Sequence, residues 1–188
     1  MRIDGVHRAV VTEVRDPEGL GRVQVAPERE LRIKPLWARV ATLMAGEGRG
    51  TWLLPESGDE VLVAFEAGDP ASPVVLGSLW SAGARPPESD PELRVVRTRG
   101  GLEIRLDDAA GQITVTTNEG ATVRLARGGV VIESASKVQV SASQVEVSAG
   151  MVDVSAGMTK FSGVVQCDTL IANSVVASSY TPGAGNIA

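Results

Sequence analysis

The chain has 188 residues, a formal net charge of -5, 22% charged residues and only 3% aromatic ones. That length suits one or two small domains and excludes a large multidomain enzyme. The acidic balance lacks the clustered Lys and Arg that nucleic-acid phosphates require, and the single cysteine, Cys167, leaves neither an intrachain disulfide nor a cysteine-rich metal site.

The N-terminal stretch MRIDGVHRAV has no basic region followed by an apolar run of signal-peptide length. No segment approaches the roughly 18 uncharged apolar residues of a membrane helix. The expectation is a chain without a signal peptide, folded in the cytoplasm.

From His7 to Trp80 short alternating segments are separated by turn signals: HRAVVTEVR, the turn DPEGLG, RVQVAP, LWARVATLM and EVLVAFEAGDPASPVVLGSLW. About five strands fit. So small a sheet is best protected by closure, which predicts an OB-type barrel over residues 1–80. Residues 81–92, SAGARPPESDPE, carry three prolines and read as an extended connector.

The next stretch, LRVVRTRGGLEIRLDDAAGQITVTTNEGATVRLARGGVVIES, alternates apolar and polar residues with Gly, Asn and Asp at the breaks, which is β period throughout. From Lys137 a seven-residue repeat appears and runs over 137–164: KVQVSAS, QVEVSAG, MVDVSAG and MTKFSGV. Its apolar positions are Val138, Val140, Val145, Val147, Val152, Val154 and Phe161. A coiled coil needs spacings of three and four, whereas these alternate two and five, so each pair shares a face only in a strand.

Each repeat is then a short strand closed by a small-residue corner. Ordering a residue costs roughly 1–2 kcal/mol while a buried valine returns about 1.5–3, so a lone ribbon with every second residue in water does not hold. Three identical chains wound around a common axis remove this difficulty: the valines fill a narrow prism, and no room remains for large rings. The expected fold class is therefore all-β, an N-terminal OB barrel followed by a trimeric, intertwined, triple-stranded β-helix needle. The needle spans residues 93–178, on the order of 60 Å at about 4.8 Å per strand, and residues 179–188 form its apex.

The stretches DPEGLGRVQV, ARVATLMAGEGRGTWLLPESGDEVLVAFEAGDP and PVVLGSLW, with VVRTRGGLEIRLDDAAGQITVTTNEGATVRL and SYTPGAGNI after them, resemble the phage baseplate assembly protein V, or tail-spike, family. That family shares its collar domain with type VI secretion spikes. The resemblance implies a homotrimeric, non-enzymatic central spike in a phage tail or tail-like particle, seated on a baseplate hub through its OB domains and driven through the target cell envelope by sheath contraction. The chain departs from relatives in lacking the lysozyme domain some carry and the fused hub of longer type VI spikes. Some short spikes hold iron at the apex through a His-x-His pair. Here the one histidine is His7, at the other end, so neither metal nor cofactor is expected. By similarity, a blunt apex of Tyr180, Thr181, Pro182, Gly183, Ala184, Gly185, Asn186 and Ile187 is capped by a separate PAAR-type tip protein.

Sharper chemical readings are weaker. GEGRG at 46–50 lacks the Lys-Ser/Thr end of a phosphate loop and suits a connection between strands. Asp107 and Asp108 fit a strand corner better than a carboxylate pair. Cys167 and His7 lie in different regions, which argues against a nucleophile and its base. Trp37, Trp52 and Trp80 fit core or subunit contacts better than a stacking platform, and Arg94, Arg97, Arg99 and Arg105 fit a solvated face with neighbouring acids. The alternatives from other classes are a β-helical glycan-degrading enzyme and an OB-fold module that binds glycans or single strands.

Overall fold

The computed structural model describes residues 2–179, apart from the side chain of Glu30. The apex residues Tyr180 to Ile187 named above lie outside the described residues. The chain forms two units, residues 1–139 and residues 140–188.

The fold is all-β. Seven strands belong to the N-terminal region: β1 (Val6–Glu13), β2 (Val23–Pro27), β3 (Leu36–Val40), β4 (Ala45–Gly46), β5 (Arg49–Gly50), β6 (Glu60–Phe65) and β7 (Pro73–Ser78). Five of them close into a barrel in the order β1-β2-β3-β7-β6, with β6 returning to β1. Neighbours run antiparallel except β3 and β7, which are parallel. This is the five-stranded Greek-key closure of an OB fold.

Strand alternation fills the barrel. Ala9 and Val11, Val23 and Val25, Ala38, Val61 with Val63 and Phe65, and Val75 all point inward, and Ile3 closes one end. Six valines in this set are less than 2% exposed. Small β-branched side chains suit this narrow interior because they pack without needing the length of leucine or the width of a ring. No buried polar or charged residue interrupts it among the described residues.

GEGRG falls on the β4–β5 hairpin, inserted between β3 and β6. At Gly50, φ is +149° and an added Cβ would lie 2.6 Å from the carbonyl oxygen of Met44, so the hairpin tolerates only glycine there. The glycines serve a turn, as their spacing suggested.

Residues 79–92 contain no strand. Beyond them, β8 (Leu93–Arg97), β9 (Glu103–Asp107), β10 (Gln112–Thr116), β11 (Thr122–Ala126) and β12 (Gly129–Glu133) form an antiparallel meander in chain order. Short Gly-containing turns join them, closed by bonds such as Gly101 N–H to Thr98 O and Gly120 N–H to Thr117 O. Asp107 accepts from the Ala110 N–H at 2.7 Å, the corner role its sequence suggested. These strands pair within one chain. Pairing between chains, expected from Leu93 onward, is thus not needed for the ladders of residues 93–133, because tight turns bring partners together locally at less entropic cost than a second chain.

After Glu133 no described residue belongs to a strand. In the second unit the described residues form no helix or strand, and the backbone bends at intervals, at Ser143, Gly150 and Gly157, and then at Gly163, Asp168, Asn173 and Ser178.

Candidate assembly surfaces

The β1–β2 turn is built around one carboxylate. Asp16 accepts from the backbone N–H groups of Glu18, Leu20 and Arg22 at 2.9–3.1 Å, and its two oxygens also take Nε and Nη2 of Arg22 at 3.2 and 2.8 Å. Its side chain is 5% exposed. The Arg22 guanidinium, followed by these N–H donors, holds the Asp16 carboxyl far below its ordinary value. Arg22 in turn lies 5.8 Å from the centre of the Trp37 ring, a cation–π distance, and also pairs with Glu18 at 2.9 Å. Gly19 and Gly21 adopt positive φ, which lets the loop fold back around the carboxylate. DPEGLGR is thus a loop staple, with Asp16 as its centre.

None of the three tryptophans sits in the barrel core. Trp37 is half-buried on the outer side of β3, because its neighbour Ala38 takes the inward position. Trp52 and Trp80 are 73% and 68% exposed. Trp52 stands above Gly21, where an added Cβ would be 3.0 Å from the ring. Together with Leu20, Met44 and the β4–β5 hairpin it lines a cleft of about 500 Å³. Leu43 and Leu53 project beside it, 96% and 72% exposed. So large an apolar patch on a small barrel marks a contact surface.

The meander has two unlike faces. On one, Val96, Ile104, Val115, Val123 and Ile132 stand in a row across all five strands, and Leu106, Ile113, Leu125 and Val130 make a second row beside it. All nine are exposed in the single chain. On the other face Glu103 sits between Arg97 and Arg105, and its carboxyl is held low by Arg105 first and Arg97 second. The connector packs here: Glu88 meets Arg105 at 3.1 Å, and the Pro87 carbonyl accepts from Arg97 at 3.5 Å. Arg94 lies 3.6 Å from Asp108, and Arg99 reaches Glu56 of the collar at 3.2 Å. The four arginines are paired with acids, as the sequence suggested, but they do not share one solvated face: Arg94 stands opposite Leu106 at the end of the apolar row, Arg97 and Arg105 lie on the other face, and the Arg105 side chain is only 27% exposed. The connector covers the polar face and leaves the apolar one open.

The repeat residues continue this exposure. Val138, Val140, Val145, Val147, Val152, Val154 and Phe161 range from 58% exposed at Val138 to 74% at Val140. They recur at regular intervals in the sequence, and none of them is buried in a shared core.

His7 belongs to the collar, where its ring lies 6.0 Å from Phe65 and its Nε2 is 3.1 Å from the Asp4 carbonyl. Cys167 is an exposed free thiol in the second unit. No group of three or more His, Cys, Asp or Glu that could hold a metal occurs among the described residues. What these surfaces offer is association between chains, since ordered apolar rows without a covering element gain most by burying one another.

Comparison with known families agrees with this division. Residues 7–80 match the type VI secretion system/phage-baseplate injector OB domain, and residues 94–159 match the phage baseplate V C-terminal trimerisation domain. The chain belongs to the phage baseplate V family. Among curated relatives, the type VI secretion system spike protein VgrG2a of Pseudomonas aeruginosa is 34% identical over 130 residues, covering 60% of this chain and 15% of that protein. The spike protein VgrG3 of Vibrio cholerae is 35% identical over 83 residues, 40% of this chain and 8% of the relative. A V. cholerae actin cross-linking toxin, VgrG1, is 36% identical over 84 residues, again 8% of its length. The chain spans less than a sixth of the length of these proteins. The trimerisation match runs from Arg94 in β8 through β12 and on through three full repeats, residues 137–157.

The sequence reading identified the repeat valines but not the nine residues of the meander face. Their signal was present, as strict alternation through β9, β10 and β11.

Proposed function

We propose that this chain is the central spike of a contractile injection machine, in a phage baseplate or a tail-like particle, acting as a homotrimer without catalysis. The observation that carries the reading is the open apolar face of β8–β12, and the exposed valines of the seven-residue repeat, which follows it in the sequence, add to it. Three chains placing these rows against a common axis bury them all, and residues after Glu133 gain from neighbouring chains the ladder partners they lack in their own. An intertwined β-helix over the repeats is the arrangement that meets both demands, because closure around a threefold axis leaves no side edge.

A rod of this kind transmits force along its axis, so its work is mechanical: it pierces the target cell envelope when the sheath contracts. The OB collar seats the trimer on the baseplate hub, and the patch of Leu20, Leu43, Met44, Trp52 and Leu53 is the apolar surface it offers there. Residues 180–187 at the apex dock a PAAR-type tip protein. The particle assembles in the bacterial cytoplasm.

The deciding experiment is the mass of the chain in solution by light scattering coupled to size exclusion. Three chains of 19.6 kDa in one elongated particle are expected. A compact monomer removes the reading, because the repeat then has no source of stability.

A further inference from the structure

The meander has two ladder edges and two margins of turns. The chain enters along β8 and leaves along β12, so these strands are the edges. The β8–β9 and β10–β11 turns lie on one margin. The β9–β10 and β11–β12 turns lie on the other, because each antiparallel strand reverses the direction of the one before.

Most charges of this sheet are matched within the chain. Arg94 pairs with Asp108, Arg97 and Arg105 with Glu103, Arg105 also with Glu88, and Arg99 with Glu56. Asp107 accepts an N–H in its own turn. Glu119, Arg124, Arg127 and Glu133 join no ion pair among the described residues. Arg124 stands mid-strand on the polar face, and Glu133 ends β12. Of this set, Glu119 and Arg127 sit in turns, Glu119 between β10 and β11 and Arg127 between β11 and β12, on opposite margins.

The two cannot meet within one chain. β11 separates them, and Thr122 to Ala126 spans about 14 Å at the rise of a strand. Their heights across the sheet nevertheless agree. The β10–β11 turn sits midway between the two turns of the opposite margin, about 4.8 Å from the level of each. An added Cβ at Gly111 would lie 3.7 Å from Nε of Arg127, so this side chain leans from its own turn back over the β9–β10 turn. The guanidinium thereby bridges the two turns and comes level with Glu119.

Three copies that bury their apolar rows around an axis running across the strands meet margin to margin. Rotation carries one margin of each chain against the opposite margin of the next, since a cyclic interface is heterologous. We infer that the Glu119 carboxylate of each chain pairs with the Arg127 guanidinium of the next, and that these ion pairs set the level at which adjacent sheets meet. This rests on the trimeric reading. Burial is non-directional, so the apolar rows alone leave the tilt of each sheet open. A charge pair at one height fixes it, and Asp108, the acid nearest to Arg127 along its own margin, is engaged by Arg94.

The test uses the full chain with Cys167→Ser, which removes its one native thiol. Glu119→Cys and Arg127→Cys are added together, and the assembled protein is treated with a short bismaleimide. The expected product on a denaturing gel is three covalently joined chains, whereas either cysteine alone leaves single chains. An independent reading comes from exchanging the charges. Glu119→Arg sets two cations against each other and is expected to lower the thermal midpoint of the trimer by about 2–4 °C at low salt. Adding Arg127→Glu to it restores the midpoint.

With a trimeric wild type, any of three results overturns the inference and leaves the trimeric reading standing. The first is no covalent product from the double-cysteine variant. The second is dimers from Glu119→Cys alone, in which case like margins meet. The third is a midpoint that does not fall with Glu119→Arg or does not recover with Arg127→Glu. A monomeric wild type fails the trimeric reading first and takes the pairing with it.

Discussion

The collar and the region beyond it use the same residues to opposite ends. In the barrel, valines spaced by two converge from five strands on one interior, and the chain satisfies its own apolar surface. In the meander and repeats, valines, isoleucines and leucines with the same spacing stay exposed, and none of the described residues covers them. Local β pattern is identical; only closure differs. A barrel closes on itself because β6 returns to β1, whereas the meander ends in open edges at β8 and β12. The contrast teaches that alternation specifies a strand and its apolar face without specifying which chain will cover that face.

The sharpest way to break the comparison is to charge the open face. Ile113 lies in the middle of its row, opposite Leu106 on one side and Leu125 on the other. Ile113→Asp places an unpaired carboxylate in each of three copies of the buried interface, at about 3–5 kcal/mol apiece. The expected outcome is a monomer by light scattering with the collar still folded. A trimer of unchanged stability would show that this face is not the interface.

The converse substitution attacks the closed region. Val63 is fully buried in the barrel, and Val63→Ala removes two methyl groups and leaves a cavity, a loss of roughly 2–3 kcal/mol. Chemical denaturation followed by the tryptophans near the collar should show a lower midpoint while the assembly keeps three chains at native conditions. If Val63→Ala instead released monomers, collar and needle would be one cooperative unit.

Much of this was legible in the sequence, and the reasons are specific. The five barrel strands were found because Ala9-Val11, Val23-Val25 and Val61-Val63-Phe65 alternate cleanly between turn signals. The meander strands were found for the same reason, and the hairpin at GEGRG was read as a connection because glycine has few other uses there. Of the two roles the sequence left for the tryptophans, core or subunit contact, the structure excludes the first: alternation through LWARV is equally consistent with Trp37 inside or Ala38 inside, and the narrow barrel decides for alanine. The Asp16 staple was invisible because its seven residues carry no period, and its bonds run to backbone N–H groups whose direction depends on Gly19 and Gly21. The partner of each exposed row could not be read at all from one chain, since hydrophobic burial is non-directional.

A smaller effect follows from that staple. The folded-state pKa of Asp16 lies well below its ordinary value of 3.8, so its bonds stabilise the collar fully above that value and the contribution falls away as pH drops towards the folded pKa. Asp16→Asn removes the ionic part at neutral pH. Thermal melts should show the largest gap between wild type and variant above about pH 5, closing progressively below 3.8. A gap that persisted unchanged into strong acid would mean that geometry alone, without the charge, holds the β1–β2 loop.

The smallest effect is expected where the two regions touch. Arg99, in the β8–β9 turn, reaches Glu56 of the collar at 3.2 Å, but its side chain is 84% exposed and that of Glu56 50%. Solvent screens such a pair, and ordering two long side chains offsets most of what attraction remains. Arg99→Ala should therefore leave both the melting temperature and the assembly state within error, and raising the salt concentration should do no more. The two regions are joined more firmly along the chain, through the connector that Arg97 and Arg105 hold to the polar face of the sheet. Arg105→Ala tests that alternative: it frees Glu88 and leaves Glu103 with Arg97 alone, so it should loosen residues 85–92 in hydrogen exchange while Arg99→Ala does not. Equal protection in both variants would place the coupling of collar and needle in the trimer contacts instead of in these arginines.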